Sequence, residues 1–313
     1  MHGIDAENLS KKFGNLLAVD SLTFSIREGE IFGLLGPNGS GKTTSIRMLT
    51  SLIAPTSGSA RVNGYDVVKD PLKVRESVGI LTENPSLYER LSAYENLDFF
   101  AQAYGISEKE DRRSRIREIL DFFGLWERRN DKAGNFSKGM KQKLAIARAL
   151  VHKPQIIFLD EPSSGLDPAS AKEIRELIER MGKLEKRTIL LSTHHLEDAE
   201  RLCSRVMIIS QGKKIAIGTP EELGRMTGNA DMIEITIWGD AGHIAGLVRE
   251  DENVISAETV SNRIRITLKN PDISTPEIVR KIVNSGGSIL SVTRIKPSLE
   301  EAYLKLTGRE VKA

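Results

Sequence analysis

Cysteine is almost absent: Cys203 stands alone among 313 residues. One thiol can build neither a disulfide framework nor a cysteine-rich metal centre, which suits a reducing compartment. Long apolar runs are missing too. None approaches the ~18 residues of a membrane span, and Met1-His2-Gly3-Ile4-Asp5 is no basic-then-apolar leader. Nor is there a dominant charge. Lys and Arg number 45 against 43 Asp and Glu, a net charge of +2, which gives little support to a dedicated nucleic-acid binder. What remains, 39% hydrophobic and 28% charged, describes a cytosolic globular protein, long for one domain and comfortable for two.

The chain is organised around Gly36-Pro37-Asn38-Gly39-Ser40-Gly41-Lys42-Thr43, followed by Thr44. It follows the apolar run Ile31–Leu35 and leads into residues with helical spacing at Ile46, Leu49 and Ile53. Strand, glycine-rich turn and helix are the context that makes a G-x-x-x-x-G-K-[ST] string a phosphate site. Glycines let successive N–H groups converge on an anion without a Cβ in the way. A helix beginning near Gly41 adds free N–H groups and a positive dipole end. Lys42 supplies a charge for the β- and γ-phosphates, and Thr43 a hydroxyl for Mg²⁺.

Residues 5–35 read as short strands and turns, with Phe13 just before a Gly-Asn turn. An aromatic there either anchors a small core or stacks on a base. Val78–Thr82 reads as a buried strand ending at Glu83. From Ser92 to Val151 the pattern is helical. Ser92–Glu95 and Ser107–Glu110 both have capping-box spacing, and Ser137 is placed to cap a third helix. Arg112, Arg113, Arg115 and Arg117 fall largely outside the stripe Ile116, Ile119, Leu120, Phe123 and read as a solvated face. Strands resume at Ile156–Leu159, closed by Asp160-Glu161, and at Thr188–Ser192, followed by Thr193-His194-His195. Val206–Ser210 and Lys213–Ile217 form a hairpin pattern. The expected architecture is α/β: a mainly parallel P-loop sheet over residues 1–218, with an inserted helical subdomain at about 84–151 and the ligand at the strands' carboxyl ends. Residues 219–230 read as a linker. Residues 231–313 follow a strand–helix–strand–strand–helix–strand order with one further helix, a ferredoxin-like α+β pattern. With no catalytic cluster in it, this second domain reads as docking or regulatory.

A P-loop ATPase needs a metal-holding acid, a group to activate water and a sensor of the terminal phosphate. Asp160 suits the metal. Glu161 beside it can be the general base, although either acid could merely cap a helix. His194 closes an apolar strand, where a histidine is either structural or in contact with phosphate.

With these residues in place, the chain resembles the ATP-binding subunits of ABC transporters over residues 5–218. The resemblance puts Phe13 at the adenine-stacking aromatic, Gly36–Thr43 at the Walker A loop and Glu83 at the Q-loop. Phe136-Ser137-Lys138-Gly139-Met140 falls at the signature sequence, Ile156–Glu161 at Walker B with its catalytic glutamate, Ser164–Asp167 at the D-loop, and His194 at the switch histidine. Two departures stand out. Lys138 and Met140 replace a glycine and a glutamine of LSGGQ, and Glu83 stands where glutamine is usual. The tail Pro297–Gly308 resembles the drug-, antibiotic- and sodium-export branch.

The resemblance implies ATP and Mg²⁺ as ligands, with Thr43, Glu83 and Asp160 near the metal. It also implies a head-to-tail pair with a second copy or a related subunit, in which Ser137 and Gly139 of one chain complete the other's phosphate site. A separate membrane permease would be the partner for export, with the subunit peripheral on the cytoplasmic face of the membrane and no nucleic acid involved. A soluble relative acting on ribosomes or DNA would need two cassettes or a long coiled-coil insertion, and the chain has neither. An ATP-gated switch without turnover is disfavoured by Glu161 and His194 occurring together.

Overall fold

The computed structural model describes residues 2–183, 186–226, 232–295 and 298–308. The chain divides into two compact units, Met1–Thr219 and Pro220–Ala313.

The first unit opens with β1 (His2–Phe13) and β2 (Leu16–Arg27), each 12 residues long. They pair antiparallel from end to end with four register shifts. Those shifts break the alternation of apolar and polar residues, so the sequence suggests short strands where the structure has one long bulged hairpin. After β3 (Ile31–Leu35) and α1 (Lys42–Leu49) come β4 (Ser57–Val62), β5 (Tyr65–Asp66), α2 (Pro71–Ser77) and β6 (Val78–Leu81). The first, antiparallel sheet has the order β2-β1-β4-β5. Helix α1 ends at Leu49; Ile53, expected on the same helical face, lies beyond it and still packs against the core.

The helical insertion comprises α3 (Ala93–Ala103), α4 (Lys109–Phe122) and α5 (Lys138–Ala149). The Ser92–Glu95 capping box is formed. The Ser107–Glu110 box is not: α4 starts after Glu108, with no side-chain cap. Arg115 also departs from the expectation of a solvated face. It is buried, and its Nε and a terminal nitrogen donate to the carbonyls of Val151 and Leu150 at 3.1 and 2.6 Å. It lies one turn before Ile119, at the edge of the apolar stripe, and satisfies carbonyls just past the end of α5.

The chain then runs through β7 (Ile156–Asp160), α6 (Pro168–Lys183), β8 (Thr188–Thr193), α7 (Leu196–Leu202), β9 (Arg205–Ser210) and β10 (Lys213–Gly218). These strands complete a six-stranded sheet of order β10-β9-β3-β8-β7-β6. Five strands are parallel, and β10 closes one edge antiparallel. Strands β3, β7 and β8 are buried throughout, as their unbroken apolar runs require of a sheet covered on both faces. One face packs Phe32, Phe158, Leu190 and Met207 against Ile46 and Met48 of α1 and Leu22 and Phe24 of the hairpin. Gly33, pointing the opposite way from Phe32, faces the buried Cys203 just after α7. The parallel order brings the ends of β3, β6, β7 and β8 to one edge.

The second unit holds α8 (Pro220–Arg225), β11 (Met232–Trp238), α9 (Ala241–Arg249), β12 (Val254–Val260), β13 (Arg263–Leu268), α10 (Pro271–Asn284), β14 (Ser288–Ile295) and α11 (Leu299–Thr307). Helix α8 occupies part of the stretch read as a linker. Residues 227–231, Pro297 of the C-terminal motif and the last five residues lie outside the described set. The sheet is antiparallel in the order β12-β13-β11-β14, the arrangement that the element order predicts. Its core joins Ile233, Ile235, Ile264 and Ile266 to Ile244 of α9 and Ile278 and Ile282 of α10. Helix α10 begins at Pro271, a residue that suits a first helical turn.

Candidate active site

The glycine-rich loop lies between β3 and α1. Gly41 caps α1 at φ 104°, where a Cβ would also meet the Ala18 carbonyl oxygen at 2.6 Å. No side chain caps this helix and its first turn has no acid, so its N–H groups face an open cavity of about 720 Å³. The predicted Phe13, Asn38, Gly39, Ser40, Gly41, Lys42, Thr43, Thr44, Glu83 and Glu161 all line that cavity. Phe13 is 47% exposed, with Lys11 Nζ 5.1 Å from its ring centre, so it is a cavity wall and not a core anchor. Glu83 is exposed. The loop's first two residues serve Lys42, whose Nζ donates to the carbonyls of Gly36 and Pro37 at 2.7 and 3.2 Å.

Strand β7 delivers the acids. Asp160, only 3% exposed, accepts the Thr43 hydroxyl on Oδ2 and the Ser192 hydroxyl on Oδ1, each at 2.7 Å. Glu161 turns the chain with a left-handed φ of 52°, held by its N–H donating to Ser192 O at 2.9 Å. Its Oε1 lies 3.3 Å from Lys42 Nζ and has no hydrogen bond; its Oε2 lies 2.8 Å from His194 Nδ1. A carboxylate only accepts, so Nδ1 carries a proton there. His195 stacks obliquely on His194, ring centres 4.1 Å apart.

Ser137 and Gly139 are not among the residues lining this cavity. Ser137 caps α5, its hydroxyl accepting the Met140 N–H at 3.3 Å. Gly139 lies so close to α6 that a Cβ would meet Ser170 Oγ at 2.5 Å. Lys138 Nζ donates to Gly165 O at 2.7 Å, and Gln142 Nε2 to Pro162 O at 2.8 Å. At the other end of α5, Arg148 lies over the Phe100 ring at 5.0 Å and donates to Ser86 O at 2.9 Å, just past Glu83. Burial lowers its pKa. His152 stacks on Tyr104 with ring centres 3.7 Å apart, and burial holds it down from 6.5 to about 4.

The structure adds residues that the motifs omit. Ser192 fixes Asp160, and its signal is a hydroxyl directly after the apolar run Ile189–Leu191 of a wholly buried strand, where a polar group requires a partner. Gln211 and Gly212, the turn between β9 and β10, line the cavity and brace the loop through Gly212 N–H to Ser40 O at 2.9 Å. Leu16, Leu17 and Ala18 form a further wall. Asp198, 1% exposed, accepts from Ser163 and from Arg175, the latter at 3.0 Å, tying the loop after Glu161 to α6 and α7.

This fold, with a phosphate loop facing paired acids and a histidine, defines a P-loop ATPase. The comparisons carry that further: the chain belongs to the ATP-binding subunits of ABC transporters, which hydrolyse ATP to power transport. The ABC transporter family model matches residues 19–164, and the model "ATP-binding protein DrrA1-3-like, C-terminal domain" matches residues 218–307. The linearmycin resistance ATP-binding protein LnrL of Bacillus subtilis is 35% identical, covering 99% of both chains. The daunorubicin resistance ATP-binding protein DrrA2 of Streptomyces coeruleorubidus is 32% identical over 98% of this chain and 95% of its own. Among solved structures, a dimeric ATP-binding cassette, MJ0796, in a post-hydrolysis state with ADP and Pi superimposes with a TM-score of 0.63 at 27% identity, covering 69% of this chain and 98% of that one.

Proposed function

We propose that two copies of this subunit, or one copy and a related subunit, close head to tail around ATP beneath a separate membrane permease and drive export of a drug-like compound. The observation that carries the chemistry is Glu161 held between Lys42 and His194, beside an Asp160 already bonded to Thr43. In this reading Glu161 accepts the proton of the attacking water, and Lys42 exchanges its loop carbonyls and Glu161 for the β- and γ-phosphates. His194 orients Glu161 through Nδ1 and turns Nε2 toward the terminal phosphate. Phe13 stacks on the base. Thr43 and Asp160, with Glu83 on the cavity wall, would hold Mg²⁺, an oxygen-ligand set that suits it, and the ion would neutralise phosphate charge.

Ser137 and Gly139 lie away from their own chain's cavity, which supports their serving the second copy's ATP; the dimeric relative supports the same pairing. The resistance functions named for LnrL and DrrA2 support export. Among the described residues no helix is long and apolar enough to cross a membrane; in this reading the partner supplies the transport path and the subunit sits peripherally on the cytoplasmic face. Tyr88 and Phe99, 47% and 48% exposed, pack edge to face beside the Glu83 loop and are the proposed permease contact.

Affinity purification of the tagged chain from detergent-solubilised membranes tests this reading. A stoichiometric polytopic protein is expected, lost in a Tyr88→Ala, Phe99→Ala variant that still binds ATP. Recovery of the chain alone from membranes that express it would overturn the transport assignment.

A further inference from the structure

Lys138 is the signature residue that departs most from the family pattern, and none of the roles above uses it. It occupies the first position of α5, where the helix dipole disfavours a cation. Its long side chain nevertheless takes a defined partner, the Gly165 carbonyl at 2.7 Å. Gly165 lies in the loop that begins at the left-handed Glu161 and ends at Asp167, where the Asp167 side chain accepts the Ser170 N–H at 3.0 Å to start α6.

Besides the ion pair of Lys143 Nζ with Glu173 Oε2 at 2.6 Å, two uncharged contacts hold α5 against this loop and the start of α6. Gln142 reaches Pro162 O from a buried position, and Gly139 abuts Ser170. Both are enclosed and fixed by packing. The Lys138 contact differs from them: it is exposed, its acceptor is neutral, and its donor is a full charge on a flexible stem. A phosphate oxygen carrying negative charge outcompetes a neutral carbonyl for that ammonium. The contact is therefore the one in the cluster that an arriving anion would break.

We propose that Lys138 is a positioning residue that exchanges partners. Without ATP it ties the Glu161–Asp167 loop of its own chain to α5; when the pair closes it moves to the terminal phosphate of the ATP held by the second copy. Occupancy of one site thereby releases the loop that carries the base of the other. This rests on the head-to-tail reading above. It goes beyond that reading by giving Lys138 two alternating partners and by making the loop's freedom depend on them.

The test uses the full chain with Ser164→Cys carrying a nitroxide, beside Gly165. Cys203 is buried, so labelling is selective. In ATP-free protein, Lys138→Met should raise nitroxide mobility and Lys138→Arg should not. With Glu161→Gln added to slow turnover, ATP and Mg²⁺ should mobilise the label when position 138 is Lys or Arg, and change nothing when it is Met. In the same background, Lys138→Met should weaken the ATP-dependent pair by at least about tenfold, the loss expected for one charged hydrogen bond, and Lys138→Arg should restore it. Equal ATP-free mobility in Lys and Met proteins overturns the tie to Gly165. A mobility difference with unchanged pair affinity overturns the exchange. A Glu161→Gln protein that stays single on a sizing column with ATP overturns the head-to-tail reading and the exchange with it, while the ATP-free spectra still judge the tie separately.

Discussion

Replacing Glu161 by Gln separates binding from chemistry more cleanly than any other change, because the structure shows each of the two carboxylate oxygens in use. Oε1 faces Lys42 at 3.3 Å and Oε2 faces His194 at 2.8 Å. The amide has one acceptor atom where there were two, so either Lys42 or His194 loses its partner. The backbone is unaffected, since the Ser192 carbonyl still takes the residue's N–H. Loss of general-base help costs ~10²–10⁴ in rate, or about 3–5 kcal/mol in barrier. Binding should move the other way. Lys42 must leave Glu161 to reach phosphate, and exchanging a charged for a neutral acceptor lowers that cost by about 1–1.5 kcal/mol, roughly a tenfold gain in ATP affinity. Phosphate release and titration calorimetry on one preparation measure both effects, and a sizing column with ATP and Mg²⁺ should show the closed pair. A rate within tenfold of native would remove Glu161 as the base. Weaker ATP binding would show that the carboxylate helps hold nucleotide rather than competing for Lys42.

Glu83→Gln should shift the Mg²⁺ dependence of turnover more than ATP affinity, since the change removes a charge from beside the proposed Mg²⁺ position; superimposable Mg²⁺ titrations would make Glu83 a plain loop residue. Ser192→Ala strips a fully buried hydroxyl from Asp160 and should cost about 1–3 kcal/mol of stability together with turnover, read by urea unfolding and phosphate release, whereas Ser192→Thr should spare much of both. His152 has a folded pKa of about 4 against 6.5 when free, so the unfolded chain binds the extra proton between those values and stability falls as pH drops through that window, by up to about 3 kcal/mol. His152→Phe, which keeps the stack on Tyr104, should flatten that slope; equal pH dependence in the two proteins would contradict the burial argument.

The parallel strands were the most legible part of the fold, because a sheet covered on both faces writes itself as unbroken apolar runs such as Ile156–Leu159. The motif residues were legible for a related reason. Lys42, Asp160, Glu161 and His194 all follow such strands, and parallel pairing carries strand ends to one edge whatever the intervening length. Pairings that depend on bulges were harder to read, as in the β1–β2 hairpin, where no steady period survives. The burial of Arg115 was hidden because its partners, the carbonyls after α5, are backbone groups common to every sequence. The Gly212 brace and the Ser192 hydrogen bond join segments distant in the chain, which local pattern cannot pair.

Helix α5 is anchored at both ends, at Gly165 through Lys138 and at Ser86 through Arg148. Its 12 residues span about 18 Å at 1.5 Å each, with no glycine beyond Gly139 and no proline to bend it. It therefore acts as a rod of fixed length and fixed phase. A residue inserted near its middle would turn one end about 100° relative to the other, so Lys138 and Arg148 could not both keep their carbonyls. The chain can vary along the exposed side of this rod, but any change in its residue count must fall outside the two anchors.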